Sequence, residues 1–215
     1  MRVKICGITS LDEAKMCLSM GADALGFLVG ITHSAEDKIA HHDACEIIKK
    51  LPPFVSTVAV THLTDADEVI DLCKYLNVTT VQIHNTMSIA NVKKVRDALP
   101  MVKIIKNFHV DKQLSIESIK EFRGIVDAIL LDTRTEDRLG GTGITHDWTI
   151  SSKIAKEVDL PIILAGGLNP DNLRDAIDGI SPLYGVDVNS GVETAGKKDK
   201  HKVGRFVEIA KGFTQ

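Results

Sequence analysis

Pro161-Ile162-Ile163-Leu164-Ala165-Gly166-Gly167-Leu168-Asn169-Pro170 runs from an unbroken apolar segment into two glycines and then an Asn-Pro pair. The apolar run is short and shows no alternation, so it reads as a strand covered on both faces. Asn169 fits a helix cap and Pro170 a first helical position. The unit is therefore strand, glycine turn, helix. A second such unit follows, with Tyr184-Gly185-Val186-Asp187-Val188 as strand and Asn189-Ser190-Gly191 as turn. Consecutive strands with a helix between them point to parallel pairing.

Working outward, the rhythm holds along the whole chain. Arg2-Val3-Lys4-Ile5-Cys6-Gly7-Ile8-Thr9 is a first strand that stops at a thiol and a glycine. Ser10 and Glu13 have the spacing of a capping box, predicting a helix over 11–20 ended by Gly21. Ala24 to Val29 reads as strand two, followed by a polar stretch from Gly30 to Asp37 and a helix to Lys50. Ser56 to Val60 is strand three, Asp65 to Leu76 a helix, Thr80 to Ile83 strand four and Ser88 to Leu99 a helix. Val102 to Phe108 is strand five and Leu114 to Phe122 a helix. Ala128 to Leu131 is strand six, ending on Asp132, and a glycine-rich loop over 133–143 precedes a helix around 150–158. A last helix runs from about Asp199 to Lys211. Eight strands alternating with eight helices at a spacing of roughly 25 residues form the pattern of a (β/α)8 barrel, or TIM barrel, in the α/β class. A doubly wound open sheet is the alternative. The even count and the glycine turns after strands seven and eight favour the barrel. No linker or change of composition divides the chain, so residues 1–215 read as a single domain.

The totals exclude several classes. With 215 residues, 44% of them apolar, the chain can bury a large core. A net charge of -3 is too mild to argue for nucleic acid or an anionic membrane surface. There is no apolar run of membrane-spanning length and no signal-peptide pattern. Cys6, Cys17, Cys45 and Cys73 form no Cys-x-x-Cys pair and read as reduced thiols, so a cytoplasmic protein is expected.

Barrels build their chemistry at the carboxyl ends of the strands. Those ends carry Cys6, His62, His84, Asp132, Gly166-Gly167 and Asn189-Ser190-Gly191. Glycines there let backbone amides approach an anion, and a helix start supports its charge, so the two turns read as a phosphate site rather than as tight turns alone. Asp132 caps an apolar strand; partial burial would raise its pKa and suit it to proton donation. The blander reading pairs it with Lys4 or Arg134. Lys4, inside a strand, needs an anionic partner or a route to solvent. Cys6 is either a small buried hydrophobe or a base whose thiolate nearby positive charge stabilises. An acid and a base on opposite sides of a pocket, with a phosphate clamp, fit an aldose–ketose rearrangement of a sugar phosphate. Three imidazoles such as His33, His62 and His84 can bind zinc, but unrelated loop and pocket histidines explain them more simply, and no metal is expected. Lys197-Lys198-Asp199-Lys200 reads as a solvated start of the last helix.

These residues resemble the phosphoribosylanthranilate isomerase family of tryptophan biosynthesis. The matching segments are Lys4-Ile5-Cys6-Gly7-Ile8-Thr9, Gly21-Ala22-Asp23-Ala24-Leu25-Gly26-Phe27, Val81-Gln82-Ile83-His84, Leu130-Leu131-Asp132-Thr133, Gly140-Gly141-Thr142-Gly143 with Asp147-Trp148, Ala165-Gly166-Gly167-Leu168-Asn169-Pro170, and Val186-Asp187-Val188-Asn189-Ser190-Gly191-Val192-Glu193. The resemblance implies an Amadori rearrangement of an aminoaldose phosphate without a cofactor. It implies Cys6 as general base and Asp132 as general acid. Lys4, Gln82, His84, Gly166, Gly167, Asp187, Asn189, Ser190 and Gly191 would meet the substrate and its phosphate. The implied partner is a small phosphorylated sugar, with no nucleic acid and no membrane, and the protein would be a monomer or homodimer. Three stretches depart from the family pattern. After strand two, where the family places an arginine for the anthranilate carboxylate, the loop reads Gly30-Ile31-Thr32-His33-Ser34-Ala35-Glu36-Asp37-Lys38-Ile39, with Asp37 in the arginine's place. Strand three ends in Thr61-His62-Leu63, and Asn85 stands where the family has glycine. Lys38, Arg134 or Arg138 would then have to meet the carboxylate. Otherwise the chain is an isomerase or lyase of another phosphorylated sugar, or a non-catalytic phosphate-ligand binder.

Overall fold

The computed structural model describes residues 1–32, 37–111, 113–132 and 148–213. Eight strands alternate with helices: β1 (Arg2–Ile5), α1 (Leu11–Ser19), β2 (Ala24–Leu28), α2 (His41–Ile48), β3 (Ser56–Thr61), α3 (Ala66–Leu76), β4 (Thr80–Ile83), α4 (Ile89–Ala98), β5 (Lys103–His109), α5 (Ile116–Lys120), β6 (Ala128–Asp132), α6 (Thr149–Glu157), β7 (Ile162–Ala165), α7 (Leu173–Gly179) and β8 (Gly185–Val188). All neighbouring strands pair in parallel, and β1 pairs with both β2 and β8, so the sheet closes on itself. The open-sheet alternative is thereby set aside. Among the described residues no helix is long and apolar enough to cross a membrane.

Closure sorts the side chains by strand parity. Val3, Ile5, Phe27, Val81, Ile83, Ile104, Ile129 and Leu164 point outward and join the main core beneath the helices. Inside the barrel, Ile105, Ala128, Leu130, Ile163 and Ala165 fill the β5–β7 side. Cys6, Val58 and Val60, with Ala24 and Leu28 against them, fill the β1–β3 side. The polar inward residues Lys4, Gln82 and Asp187 are also buried. They sit on β1, β4 and β8, at the borders between the two apolar fillings. The four cysteines are free and buried, and burial pushes the Cys17 and Cys73 thiols up to about 12, so neither is a ready nucleophile.

Several local expectations change. The Ser10 hydroxyl does accept from Glu13 N, but Glu13 reaches past Ser10 to the Thr9 amide and hydroxyl, at 3.0 and 2.9 Å. The α5 helix is shorter than the predicted 114–122: its end tightens into i→i+3 bonds, Phe122 N to Ile119 O and Arg123 N to Lys120 O, before Gly124 at φ +78. The α7 helix begins at Leu173, not Pro170, because Asn169 Oδ1 holds a turn by accepting from Asp171 N and Asn172 N. After β8 comes an unforeseen insert: a 3-10 turn over Ser190–Val192, then β9 (Glu193–Thr194) and β10 (Lys197–Lys198), an antiparallel hairpin preceding α8 (Lys200–Gly212). Ala195 and Gly196 both have positive φ, as a two-residue hairpin turn requires.

Asp65 caps α3 through bonds from Asp67 N at 2.8 Å and Glu68 N at 3.1 Å. Asp65→Ala should lower stability by about 1 kcal/mol, read as a lower urea midpoint with an unchanged m-value.

Candidate active site

The site begins where the barrel closes. Lys4 and Asp187 are direct register partners on β1 and β8. Both point inward, and Lys4 Nζ donates to both Asp187 oxygens at 2.9 Å. Asp187, not Asp132, is therefore the anion that Lys4 requires. Burial disfavours the Lys4 charge, but Asp187 and Cys6 together outweigh it and hold the ammonium's pKa above its ordinary value. Cys6 lies two residues beyond Lys4 on the same face, its N–H donating to Val188 O at 2.8 Å. Burial pushes its thiol pKa above the ordinary value, and the Lys4 ammonium offsets only part of that rise. Gly26 makes room for both groups: a Cβ there would lie 2.8 Å from Cys6 Sγ and 3.0 Å from Lys4 Nζ.

Asp132 ends β6, on the far side of the barrel from β1. Its Oδ2 lies 3.7 Å from His84 Nε2 and 3.9 Å from His109 Nδ1. His84 also stacks on His62, with ring centres 5.1 Å apart and planes within 6°. Burial, with the positive charge of His62, His109, Lys4 and Lys106 adding to it, lowers the His84 pKa to about 3, so this ring is neutral at ordinary pH. Gln82 Nε2 lies 3.2 Å from His84 Nδ1. As an N–H donor it makes Nδ1 the acceptor and leaves the ring proton on Nε2, toward Asp132. His109 was missed in the sequence because strand five was expected to stop at Phe108. One more residue of ladder makes it the register partner of Asp132.

A cavity of about 260 Å³ separates Cys6 from Asp132 and reaches Gly166, Gly167, Ser190 and Gly191. Gly166 and Gly167 have φ of +88 and +67, conformations that L side chains rarely adopt. Gly191 has a different reason to be glycine: a Cβ would stand 1.8 Å from Leu168 O, so the turns after β7 and β8 are pressed together there. The glycines thus shape one continuous rim rather than two separate turns.

Two of the departures from the family pattern are connected. Asn85 Nδ2 donates to His62 O and Leu63 O at 2.6 and 2.5 Å, and Asn85 Oδ1 accepts from Met87 N at 2.8 Å. The altered end of strand three is therefore held by the altered residue after strand four. Asp37 lines the cavity and accepts from Asn189 Nδ2. Lys198 Nζ donates to Asn189 Oδ1 at 2.6 Å and pairs with Glu193. An ammonium cannot accept and a carboxylate cannot donate, so these two partners fix the amide's orientation. The Lys198 side chain is 1% exposed, which corrects the expectation of a solvated lysine run. Gly7 passes beneath this group, with its Cβ position 2.5 Å from both Asp37 Oδ2 and Asn189 Oδ1. Lys38 is exposed and does not line the cavity, so the described geometry does not support it as the carboxylate's partner. His33, Glu36, Arg134, Arg138 and the segment from Gly140 to Asp147 lie outside the described residues. Among the described residues no group of three or more His, Cys, Asp or Glu side chains could hold a metal ion.

Fold and site together define a (β/α)8-barrel protein with a thiol and a carboxylate facing one cavity beneath a glycine rim. The family model described as N-(5'-phosphoribosyl)anthranilate (PRA) isomerase matches residues 3–209, and the chain belongs to that family. It is 45% identical to N-(5'-phosphoribosyl)anthranilate isomerase 2 of Methanosarcina mazei, over 98% of this chain and 94% of that protein. The crystal structure of phosphoribosyl anthranilate isomerase from Thermotoga maritima superposes with a TM-score of 0.86 at 37% identity, covering 99% of this chain and 100% of that one. A phosphoribosyl anthranilate isomerase in complex with reduced 1-(o-carboxyphenylamino)-1-deoxyribulose 5-phosphate superposes with a TM-score of 0.83 at 35% identity, covering 99% of this chain and 100% of that one.

The ion pair can be tested by removing one or both charges. Lys4→Met alone should cost about 3–5 kcal/mol by stranding the buried Asp187 carboxylate. Lys4→Met with Asp187→Leu should recover most of that loss in urea unfolding. In the double variant the Cys6 thiol, without its ammonium, should titrate at higher pH, read as an upward shift in the pH dependence of alkylation by iodoacetamide.

Proposed function

We propose that this chain converts N-(5'-phosphoribosyl)anthranilate to the corresponding aminoketose phosphate by general acid–base catalysis. The observation that carries the reading is the placement of Cys6 and Asp132 across one cavity that ends on the glycine rim. Asp132 protonates the ribose ring oxygen, the C1–oxygen bond breaks, and an iminium ion forms. That cation acidifies the proton on C2. The Cys6 thiolate, facing Lys4, removes it, and the resulting enolamine tautomerises to the ketone. Each such step contributes on the order of 10² to 10⁴ in rate. The amides around Gly167 and Ser190 hold the phosphate. Gln82 orients His84, and the Lys4–Asp187 pair keeps a positive charge beside the thiol. No cofactor takes part in these steps, and the protein acts as a monomer or homodimer in the cytoplasm.

The aryl carboxylate still needs a cation. Lys38 does not reach the cavity, and Asp37 is turned to Asn189 with Lys198 behind it. Arg134, two residues beyond the acid in sequence, is the guanidinium we assign to it. Arg134→Ala should raise KM for phosphoribosylanthranilate by about tenfold to a hundredfold, the loss of one charge-assisted pair. Lys38→Ala should leave KM unchanged.

Turnover of freshly generated phosphoribosylanthranilate by the purified protein tests the main reading. Cys6→Ser and Asp132→Asn should each lower kcat by about a hundredfold or more while competitive inhibition by inorganic phosphate persists. Wild-type protein without turnover at any concentration would pass the site to a different phosphorylated sugar.

A further inference from the structure

The reaction proposed above leaves its two catalytic groups in the wrong protonation states. Asp132 has given a proton to the ring oxygen and is a carboxylate; Cys6 has taken one from C2 and is a thiol. The two stand on opposite sides of the cavity, on β6 and just beyond β1, so each must exchange its proton before the next turnover. Asp132 is poorly placed to draw one from bulk water, because its side chain is only 14% exposed.

Two imidazoles flank its Oδ2. His84 is the inner one, half-buried between His62 and His109 and carrying no charge near neutral pH. Neutral, and with Nδ1 held by Gln82, this ring carries no second proton to give to the carboxylate. His109 is the outer one. It is the β5 register partner of Asp132, its Nδ1 lies 3.9 Å from Oδ2, and its side chain is 61% exposed. Its ring meets His84 edge-on, with centres 5.6 Å apart. The neighbouring Lys106 on the same strand is turned away: its ammonium donates to Asn85 O and Asn107 O. Asp132 and His84 face the His109 ring, with His62 behind the latter.

We propose that His109 returns the proton to Asp132, linking the buried acid to solvent. The inference rests on the isomerase reading. His109 as imidazolium gives its Nδ1 proton to Asp132 Oδ2, directly after a small rotation or through one water. The imidazole then takes a proton from water or buffer. Cys6 loses its proton separately, so one proton enters and one leaves per cycle and the isomerisation has no net proton change. His109 touches no reacting atom of the substrate; it acts through Asp132.

Steady-state rates in dilute buffer without imidazole, then with imidazole added, test the role. His109→Ala should lower kcat about tenfold or more in dilute buffer, with KM and phosphate inhibition within about twofold of wild type. Added imidazole should restore kcat along a saturating curve. His109→Gln, which fills the space without carrying a proton, should be as slow and should not respond. An unchanged kcat in His109→Ala, or a loss that imidazole does not recover, overturns the relay while leaving the isomerase reading in place. Wild-type protein with no turnover overturns both.

Discussion

A lysine and an aspartate meet in the barrel interior at the seam where the first strand joins the last, and the rest of the site is arranged around that contact. An isolated buried charge is costly, and a buried pair replaced by apolar residues of similar size is often no less stable. Stability therefore does not explain why Lys4 and Asp187 are ionic. Position does. Lys4 is two residues before Cys6 on the same face of β1, and its ammonium opposes the effect of burial on the thiol. Asp187 makes that ammonium tolerable inside the barrel. Gly26 keeps β2 from filling the same space. Removing either ion would strand the other beside the base.

The opposite wall uses the same logic with different chemistry. Among the described residues, the His84 and His109 imidazoles lie beside the Asp132 carboxylate. A permanent ammonium at hydrogen-bonding distance would favour the carboxylate and oppose its use as an acid. His84 is neutral at ordinary pH and its Nε2 proton faces Asp132, so it can polarise without fixing a charge. The base wall thus carries a positive charge beside the thiol, and the acid wall places imidazoles beside the carboxylate.

Residues that depart from the family pattern are supported by one another. Asn85 would be an odd replacement for glycine if it stood alone, but its amide ties down the backbone of His62 and Leu63. Asp37 in the place of an arginine would leave a carboxylate facing an anionic substrate. Instead Asn189 turns it toward β8, and Asn189 is in turn held by Lys198 from the hairpin after that strand.

The alternation of eight strands with helices, the closed barrel and the strand-end positions of Cys6, Asp132 and the glycine turns were legible in the sequence. Hydrophobic runs, caps and strand-ending glycines are local patterns, and eight repeats of one pattern leave few ways to pack. Side chains that meet across strands were not legible. Lys4 and Asp187 are 183 residues apart, and only the register of the closing strand pair makes them neighbours. His109 joined the acid because β5 runs one residue farther than its apolar pattern. Lys198 looked solvated because a run of charges usually is; a two-residue hairpin turned it inward. Register, closure and the fold of a short insert depend on contacts between distant segments, and those contacts decided which charges face each other around Cys6 and Asp132.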